Sequence, residues 1–351
     1  MNKDFNKLSI NQNESIKAAM LQMDYIGKKL LVVLDNDKKY IGLISIGDIQ
    51  RSIIQETSLE SKIKEILRTD YLVSSTSDKL DDIKKQMLSI RAEFMPVIND
   101  QNEIEDIILW NDVFGAESAL PLDVFDVPVV IMAGGYGSRL KPITNVLPKP
   151  LIPIGEKSML EEIFSRFSQH GSNKFHISVN YKADLIKYYL KSQGLPYKLS
   201  FFKEDKPLGT AGSLHLLEGQ LNETFFVSNC DILVEQDYSE VLKYHKENNN
   251  EITIVAAIKN LDIPYGTLTT GENGVLKKMT EKPNISFKIN SGLYILEPHL
   301  IKEIPKNIFF HITHLIQKVM DRKGTVGVFP VSEKSWKDIG EWDTYLKNKI
   351  E

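Results

Sequence analysis

The chain has 351 residues, 42% hydrophobic and 26% charged, with 43 Lys plus Arg against 47 Asp plus Glu and a formal net charge of -4. This ordinary globular composition excludes a disordered chain, a collagen-like repeat and a strongly cationic nucleic-acid binder. The single cysteine, Cys230, excludes an internal disulfide framework and a multi-cysteine zinc site.

Neither a secretory signal nor an apolar run of about 20 residues is present, so a cytoplasmic protein without a membrane span is expected. The length predicts two or three domains at roughly 100–200 residues each. The first third contains an ungapped internal repeat at an offset of 64 residues. Leu30–Leu34 aligns with Phe94–Ile98, and the turn Asp35–Asp37 with Asn99–Gln101. In each copy a helix comes first, with Ile16, Ala19, Met20 and Met23 or Leu80, Ile83, Met87 and Ile90 at helical spacing. Two short apolar strands around a polar turn follow. A second helix then opens at Gly47-Asp48-Ile49 or Asn111-Asp112-Val113, its Asp placed where the helix dipole favours negative charge.

The segment Gly42-Leu-Ile-Ser45-Ile-Gly47-Asp48, followed by Arg51, makes residues 1–116 resemble a tandem pair of CBS domains. The expected organisation is an α/β CBS-pair domain over 1–118, with repeats of about 1–64 and 65–118. The resemblance implies that Ser45 and Asp48 hold the phosphate and ribose of an adenosine nucleotide. Copy two carries Asp106 in place of the Gly and Leu109 in place of the Ser, and keeps Asp112; one competent site is therefore expected. Ser45 and Asp48 are also a natural helix cap, so a domain that only packs or dimerises stays open. Paired CBS modules commonly associate, which points to a homo-oligomer.

Residues 119–127, which contain Pro121 and are followed by Pro128, break both periodicities and read as a linker. Val129-Val-Ile-Met132 then reads as a buried strand running into Ala133-Gly-Gly-Tyr-Gly-Ser-Arg-Leu140, an arrangement that brings bare backbone amides against phosphates. It is neither a P-loop, since Arg139 and Leu140 stand where Gly-Lys is needed, nor a dinucleotide fingerprint, which needs a small residue at Leu140.

The longer string Met132 to Thr144, followed by Leu147-Pro-Lys-Pro-Leu-Ile-Pro-Ile154, resembles the signature of the sugar-1-phosphate nucleotidyltransferases. That resemblance implies a Rossmann-like α/β domain over 128–351 with a mixed, mostly parallel sheet. Ala133, Gly134, Gly135, Gly137, Ser138, Arg139 and Lys149 would then bind a nucleoside triphosphate. Arg139 and Lys149 would neutralise the departing pyrophosphate, with prolines 148 and 150 limiting the freedom of Lys149.

Downstream segments match the family in order. Phe225-Phe-Val-Ser-Asn-Cys-Asp231 and Trp336-Lys-Asp338 resemble the segments that supply magnesium ligands, which makes Asp231 catalytic and pairs it with Asp338. Glu204 and the loop Leu208-Gly209-Thr210-Ala211-Gly212 fall near the base and sugar; Asn180, Gly266, Glu281, Lys282 and Asn290 fall on the sugar-phosphate side. His311 and His314, an H-x-x-H without a third ligand, read as ordinary polar helix residues, and Cys230 as a small buried hydrophobe.

A CBS pair ahead of such a domain resembles the guanylyltransferases that activate glucosamine 1-phosphate for legionaminic acid synthesis. The expected substrates are thus GTP and glucosamine 1-phosphate, with Mg2+, giving GDP-glucosamine and pyrophosphate. Nothing in Gly134–Leu140 physically separates guanine from thymine or uracil, so mannose-1-phosphate guanylyltransferase and the thymidylyl-, uridylyl- and cytidylyltransferases stay open. So does a non-catalytic binder that senses an adenosine nucleotide.

Overall fold

The computed structural model describes residues 5–68, 73–115, 120–342 and 345–346. The chain divides between Pro121 and Leu122 into two compact units. The boundary expected at 118/119 lies outside the described residues.

The first unit repeats itself. β1 (Ser9–Asn11), α1 (Ile16–Ile26), β2 (Leu30–Leu34), β3 (Tyr40–Ser45) and α2 (Ile46–Ile54) are followed by β4 (Ser74–Ser75), α3 (Leu80–Ile90), β5 (Phe94–Ile98), β6 (Ile104–Leu109) and α4 (Trp110–Phe114). Each half forms a three-stranded sheet whose first strand is parallel, and third antiparallel, to the second. The 64-residue offset reaches into the ladder: Leu30 faces Ser45 as Phe94 faces Leu109, and irregularities fall at Val33/Leu34 and Val97/Ile98. The halves share a core in which Leu30, Val32, Leu34 and Leu43 meet Ala92, Phe94 and Ile107, so each buries the apolar face the other leaves uncovered.

The Ser45-to-Leu109 difference between the copies changes a helix start. Ser45 caps α2, and with Asp48 it closes a capping box, which satisfies backbone donors that a helix start otherwise leaves bare. Leu109 at the start of α4 has no such group. The capped helix runs nine residues and the uncapped one five.

The second unit holds β7 (Val129–Met132), α5 (Met159–Ser168), β8 (Lys174–Val179), α6 (Ala183–Ser192), β9 (Lys198–Lys203), β10 (Phe225–Asn229), β11 (Ile232–Val234), α7 (Tyr238–Glu247), β12 (Ile252–Asp262), β13 (Thr267–Thr270), β14 (Leu276–Thr280), β15 (Asn284–Leu296), α8 (Ile312–Asp321), β16 (Val326–Ser332) and β17 (Trp336–Asp338). Seven strands form one sheet in the order β9-β8-β7-β10-β15-β12-β16. β9, β8, β7 and β10 are mutually parallel. β15 runs antiparallel between β10 and β12, and β16 is parallel to β12. The sheet is mixed and mostly parallel, as the sequence led us to expect.

Burial explains the strands. All four residues of β7 are buried, as a strand covered on both faces requires. α5 turns Leu160, Ile163, Phe164 and Phe167 inward, the i, i+3, i+4, i+7 stripe of a helix on a sheet. Part of the joining segment is held against the second unit. Phe125 donates its N–H to the His170 carbonyl (2.7 Å) and stacks on the His170 and Phe226 rings, so the chain from Leu122 onward packs into the second unit. Among the described residues no helix is long and apolar enough to cross a membrane.

Strand order reverses at β7, which has β8 on one side and β10 on the other. In open α/β sheets the crevice beyond the carboxyl ends at such a reversal is where ligands bind. Residues following β7, β8, β9 and β10 meet there.

Candidate active site

A cleft of about 310 Å³ opens at this reversal, walled by Gly134, Gly135 and Gly137 after β7, Glu204 after β9, and Asn229, Cys230 and Asp231 after β10. Arg139 and Lys149 reach it from the turns that follow β7, and Pro207, Gly209, Thr210 and Phe309 close another part of its wall.

The glycine-rich turn is shaped by close approach. Gly137 has φ +64°, and a Cβ there would lie 2.8 Å from Thr144 Cγ2 and 2.9 Å from Lys149 Cβ. Thr144, fully buried, returns its hydroxyl to the Gly137 carbonyl at 3.0 Å. A Cβ on Gly134 would lie 2.7 Å from Glu204 Oε1. Leu140 anchors the turn in the core, which leaves Arg139 facing out over the cleft.

The charged groups converge. The buried Lys149 ammonium donates to Asp231 Oδ2. Arg139 lies 3.4 Å from Asp231 Oδ2, 3.4 Å from Asp338 Oδ2 and 3.0 Å from Glu341 Oε1. Burial works to lower the Arg139 pKa, but Asp338, Glu341 and Asp231 outweigh it and the value is raised. Asp231 and Asp338 are brought together by the β11–β17 pair, in which Ile232 faces Asp338. A Cβ on Gly340 would lie 2.4 Å from Asp231 Oδ2 and 2.9 Å from Asp338 Oδ1, so both carboxylates address one small region. Two carboxylates with room for phosphate oxygens and water suit magnesium. Among the described residues no group of three His, Cys, Asp or Glu forms a ready-made metal cage.

Glu204 was marked in the sequence only as lying near the base; its position is more telling. It is 4% exposed. Its Oε1 accepts from Ser178 and its Oε2 from the Leu208 N–H at 3.0 Å. A carboxylate has about four acceptor sites, so each oxygen keeps one. Glu341 and Phe309 were not marked at all.

Other expected residues are placed differently. Gly212 is buried, and its N–H donates to the Phe310 carbonyl at 2.9 Å. It is a glycine because a Cβ would lie 2.8 Å from the Ile308 carbonyl oxygen, so its main chain is not available to a base. Ala133 donates its N–H to Ser178 within the sheet, and neither it nor Ser138 is part of the wall. Asn180 donates to the Glu204 carbonyl at 2.7 Å and so fixes Glu204. Glu281 and Lys282 follow β14, with Gly266 close to Glu281, while Asn290 lies on β15 and accepts from the Gly292 N–H. None of these four lines the cleft. His311 and His314 sit at the start of α8, their rings 5.5 Å apart, with the His311 N–H donating to His314. Cys230 is buried, and burial together with Asp231 pushes its thiol pKa up to about 12.

The first unit has its own cleft of about 330 Å³, with Ser45 in the wall beside Arg51, Arg68 and Arg91. Asp48 is not itself in the wall but holds three residues that are, with Arg68 Nη1 3.8 Å from its Oδ1. It is 5% exposed and accepts from the Ser45 N–H and hydroxyl and from Arg51.

The nucleotidyl transferase family model matches residues 128–350. The chain belongs to the nucleotidyl transferase family. The CBS domain model matches residues 1–55. Among similar nucleotidyl transferases, the mannose-1-phosphate guanylyltransferase catalytic subunit beta of Dictyostelium discoideum is 36% identical over 50% of this chain and 51% of its own length. Mannose-1-phosphate guanyltransferase 2 of Candida glabrata is 32% identical over 62% of each. The chain thus spans between about half and three-fifths of the length of these curated relatives. HddC from Yersinia pseudotuberculosis, 28% identical, superposes with a TM-score of 0.51 over 64% of this chain and 98% of that one. Its crystal structure complexed with GMP-PN gives 27% and 0.50 over the same shares.

Proposed function

We propose that this chain is a sugar-1-phosphate guanylyltransferase, making a GDP-sugar and pyrophosphate from GTP and a hexose 1-phosphate. The observation that carries the reading is the convergence of Asp231, Asp338, Lys149 and Arg139 beside the glycine-rich turn. A sugar 1-phosphate oxygen attacks the α-phosphorus, the bond from that phosphorus to the β-phosphate oxygen breaks, and pyrophosphate leaves. The attacking phosphate is already a dianion near neutral pH, so positioning and charge neutralisation can supply the catalysis. Arg139 and Lys149 offset the charge of the departing pyrophosphate, while the amides of Gly134 to Gly137 approach the phosphates. Asp231 and Asp338 would hold magnesium, which supplies charge neutralisation on the triphosphate when bound.

Guanine is supported by Glu204 and by the names of the relatives. The free acceptor on each Glu204 oxygen matches the adjacent N1–H and N2–H donors of guanine. Thymine and uracil offer one ring N–H between two carbonyls, which a carboxylate would repel. For the sugar, the CBS pair supports glucosamine 1-phosphate and the curated relatives support mannose 1-phosphate. Glu281 and Lys282 are the groups assigned to it. The CBS pair is assigned a regulatory adenosine nucleotide, held through Ser45 and the neighbouring arginines.

Pyrophosphate release from four nucleoside triphosphates, each with glucosamine, mannose and glucose 1-phosphates and magnesium, tests the reading. The fastest reaction should use GTP. A preference for dTTP, UTP or CTP would refute the guanylyl assignment, and no turnover with any pair would refute the transferase.

A further inference from the structure

Phe309 is the aromatic ring in the wall of the active-site cleft, and 56% of the residue is exposed. The neighbouring backbone is tied down around it. The Phe310 N–H donates to the Leu208 carbonyl at 2.9 Å, and the Phe310 carbonyl accepts from the Ala211 and Gly212 N–H groups at 3.1 and 2.9 Å. Gly209 and Gly212 permit this approach, since a Cβ on either would come within 2.8 Å of a carbonyl oxygen of the 308–310 segment. The ring itself is buttressed edge to face by His311, with centroids 4.7 Å apart and planes at 81°. His311 is tied in turn to the Thr210 hydroxyl at 3.3 Å. A flat apolar surface thus stands, pre-oriented, in the same wall as Glu204 and the glycines of the turn.

We propose that Phe309 is the stacking platform for the nucleobase, so that the base lies against its ring while Glu204 reads the base edge. The proposal rests on the nucleotide-binding reading above and adds a specificity residue to it. Stacking on an aromatic side chain accepts any base, but a purine overlaps the ring more than a pyrimidine does. Phe309 therefore favours purine over pyrimidine nucleotides before Glu204 discriminates further. Because the ring is exposed, its removal should leave the fold intact.

The test compares the full-length wild type, Phe309→Ala and Phe309→Tyr by calorimetric titration with GTP, UTP and inorganic tripolyphosphate. In Phe309→Ala, GTP affinity should fall about tenfold to a hundredfold and the GTP-to-UTP ratio should shrink. Tripolyphosphate affinity and the thermal midpoint should stay at wild-type values, and Phe309→Tyr should recover GTP binding. Unchanged GTP affinity in Phe309→Ala, or an equal loss for GTP and tripolyphosphate, would overturn the proposal. A wild-type chain that binds no nucleoside triphosphate would instead overturn the reading beneath it.

Discussion

Gly340 stands so close to Asp231 that a Cβ on it would lie 2.4 Å from Asp231 Oδ2, nearer than any side-chain carbon can come. The same atom would lie 2.7 Å from Lys149 Nζ. The main chain after β17 is thus packed directly onto the buried Lys149–Asp231 pair, and any larger residue at 340 must displace it.

Gly340→Ala should therefore push the pair apart. A displacement of about 1 Å at a catalytic constellation costs on the order of a hundredfold in rate. Steady-state pyrophosphate release should show that loss in kcat/KM, with the far-UV circular dichroism unchanged. Activity within a factor of two of wild type would show that the close packing is incidental.

The Lys149 and Asp231 side chains are 11% and 9% exposed, so breaking the pair leaves a charge stranded in a poor solvent. Removal of one member of such a pair costs about 3–5 kcal/mol. Lys149→Ala should lose that much in urea unfolding along with its activity. The double variant Lys149→Met, Asp231→Leu should regain most of the stability and none of the activity, because the pair is kept for chemistry. Equal stability of the single and double variants would contradict this.

Cys230 lies beside Asp231, and burial holds its thiol pKa at about 12. A group with that pKa carries almost no thiolate at pH 8, and the thiolate is the reactive form. Native protein should resist a disulfide-exchange reagent at pH 8, and one thiol should appear on denaturation. Prompt labelling of the native chain would mean that the Cys230 thiol is not buried.

Far from the cleft, the Arg322 guanidinium hydrogen-bonded to Glu251, with His299 also contributing, lowers the Glu251 pKa from 4.5 to about 2. A depressed carboxylate pKa contributes stability that is present above about 4.5 and lost as pH falls towards about 2. Between those values Glu251→Gln should lose less stability than wild type, as read by denaturant midpoints against pH. Parallel curves would show that the Glu251–Arg322 contact has no net effect.

Much of the architecture is legible in residue order alone. The 64-residue repeat survives into strand register, and the run Val129–Met132 is a buried strand because nothing polar interrupts it. Asp231 and Asp338 are legible as a pair because the segments around them resemble the magnesium-ligand segments of the family. Residues whose roles depend on distant partners are harder to read. Gly212 looks like part of a phosphate or base loop, yet its amide is taken by Phe310, about a hundred residues away. Glu204 gains its importance from Ser178 on a neighbouring strand. Nothing in the local string around Phe309 or Glu341 tells which faces solvent and which faces the cleft. That follows only from the hydrogen bonds to the Leu208–Gly212 loop and from the reach of Arg139.

The most direct test is magnesium-dependent pyrophosphate release from GTP and a hexose 1-phosphate by the wild type, Asp231→Asn and Asp338→Asn. The expected result is turnover by the wild type that chelation of the metal stops, with both variants slower by a hundredfold or more. Wild-type rates in either asparagine variant would contradict the claim that these two carboxylates jointly organise the reaction.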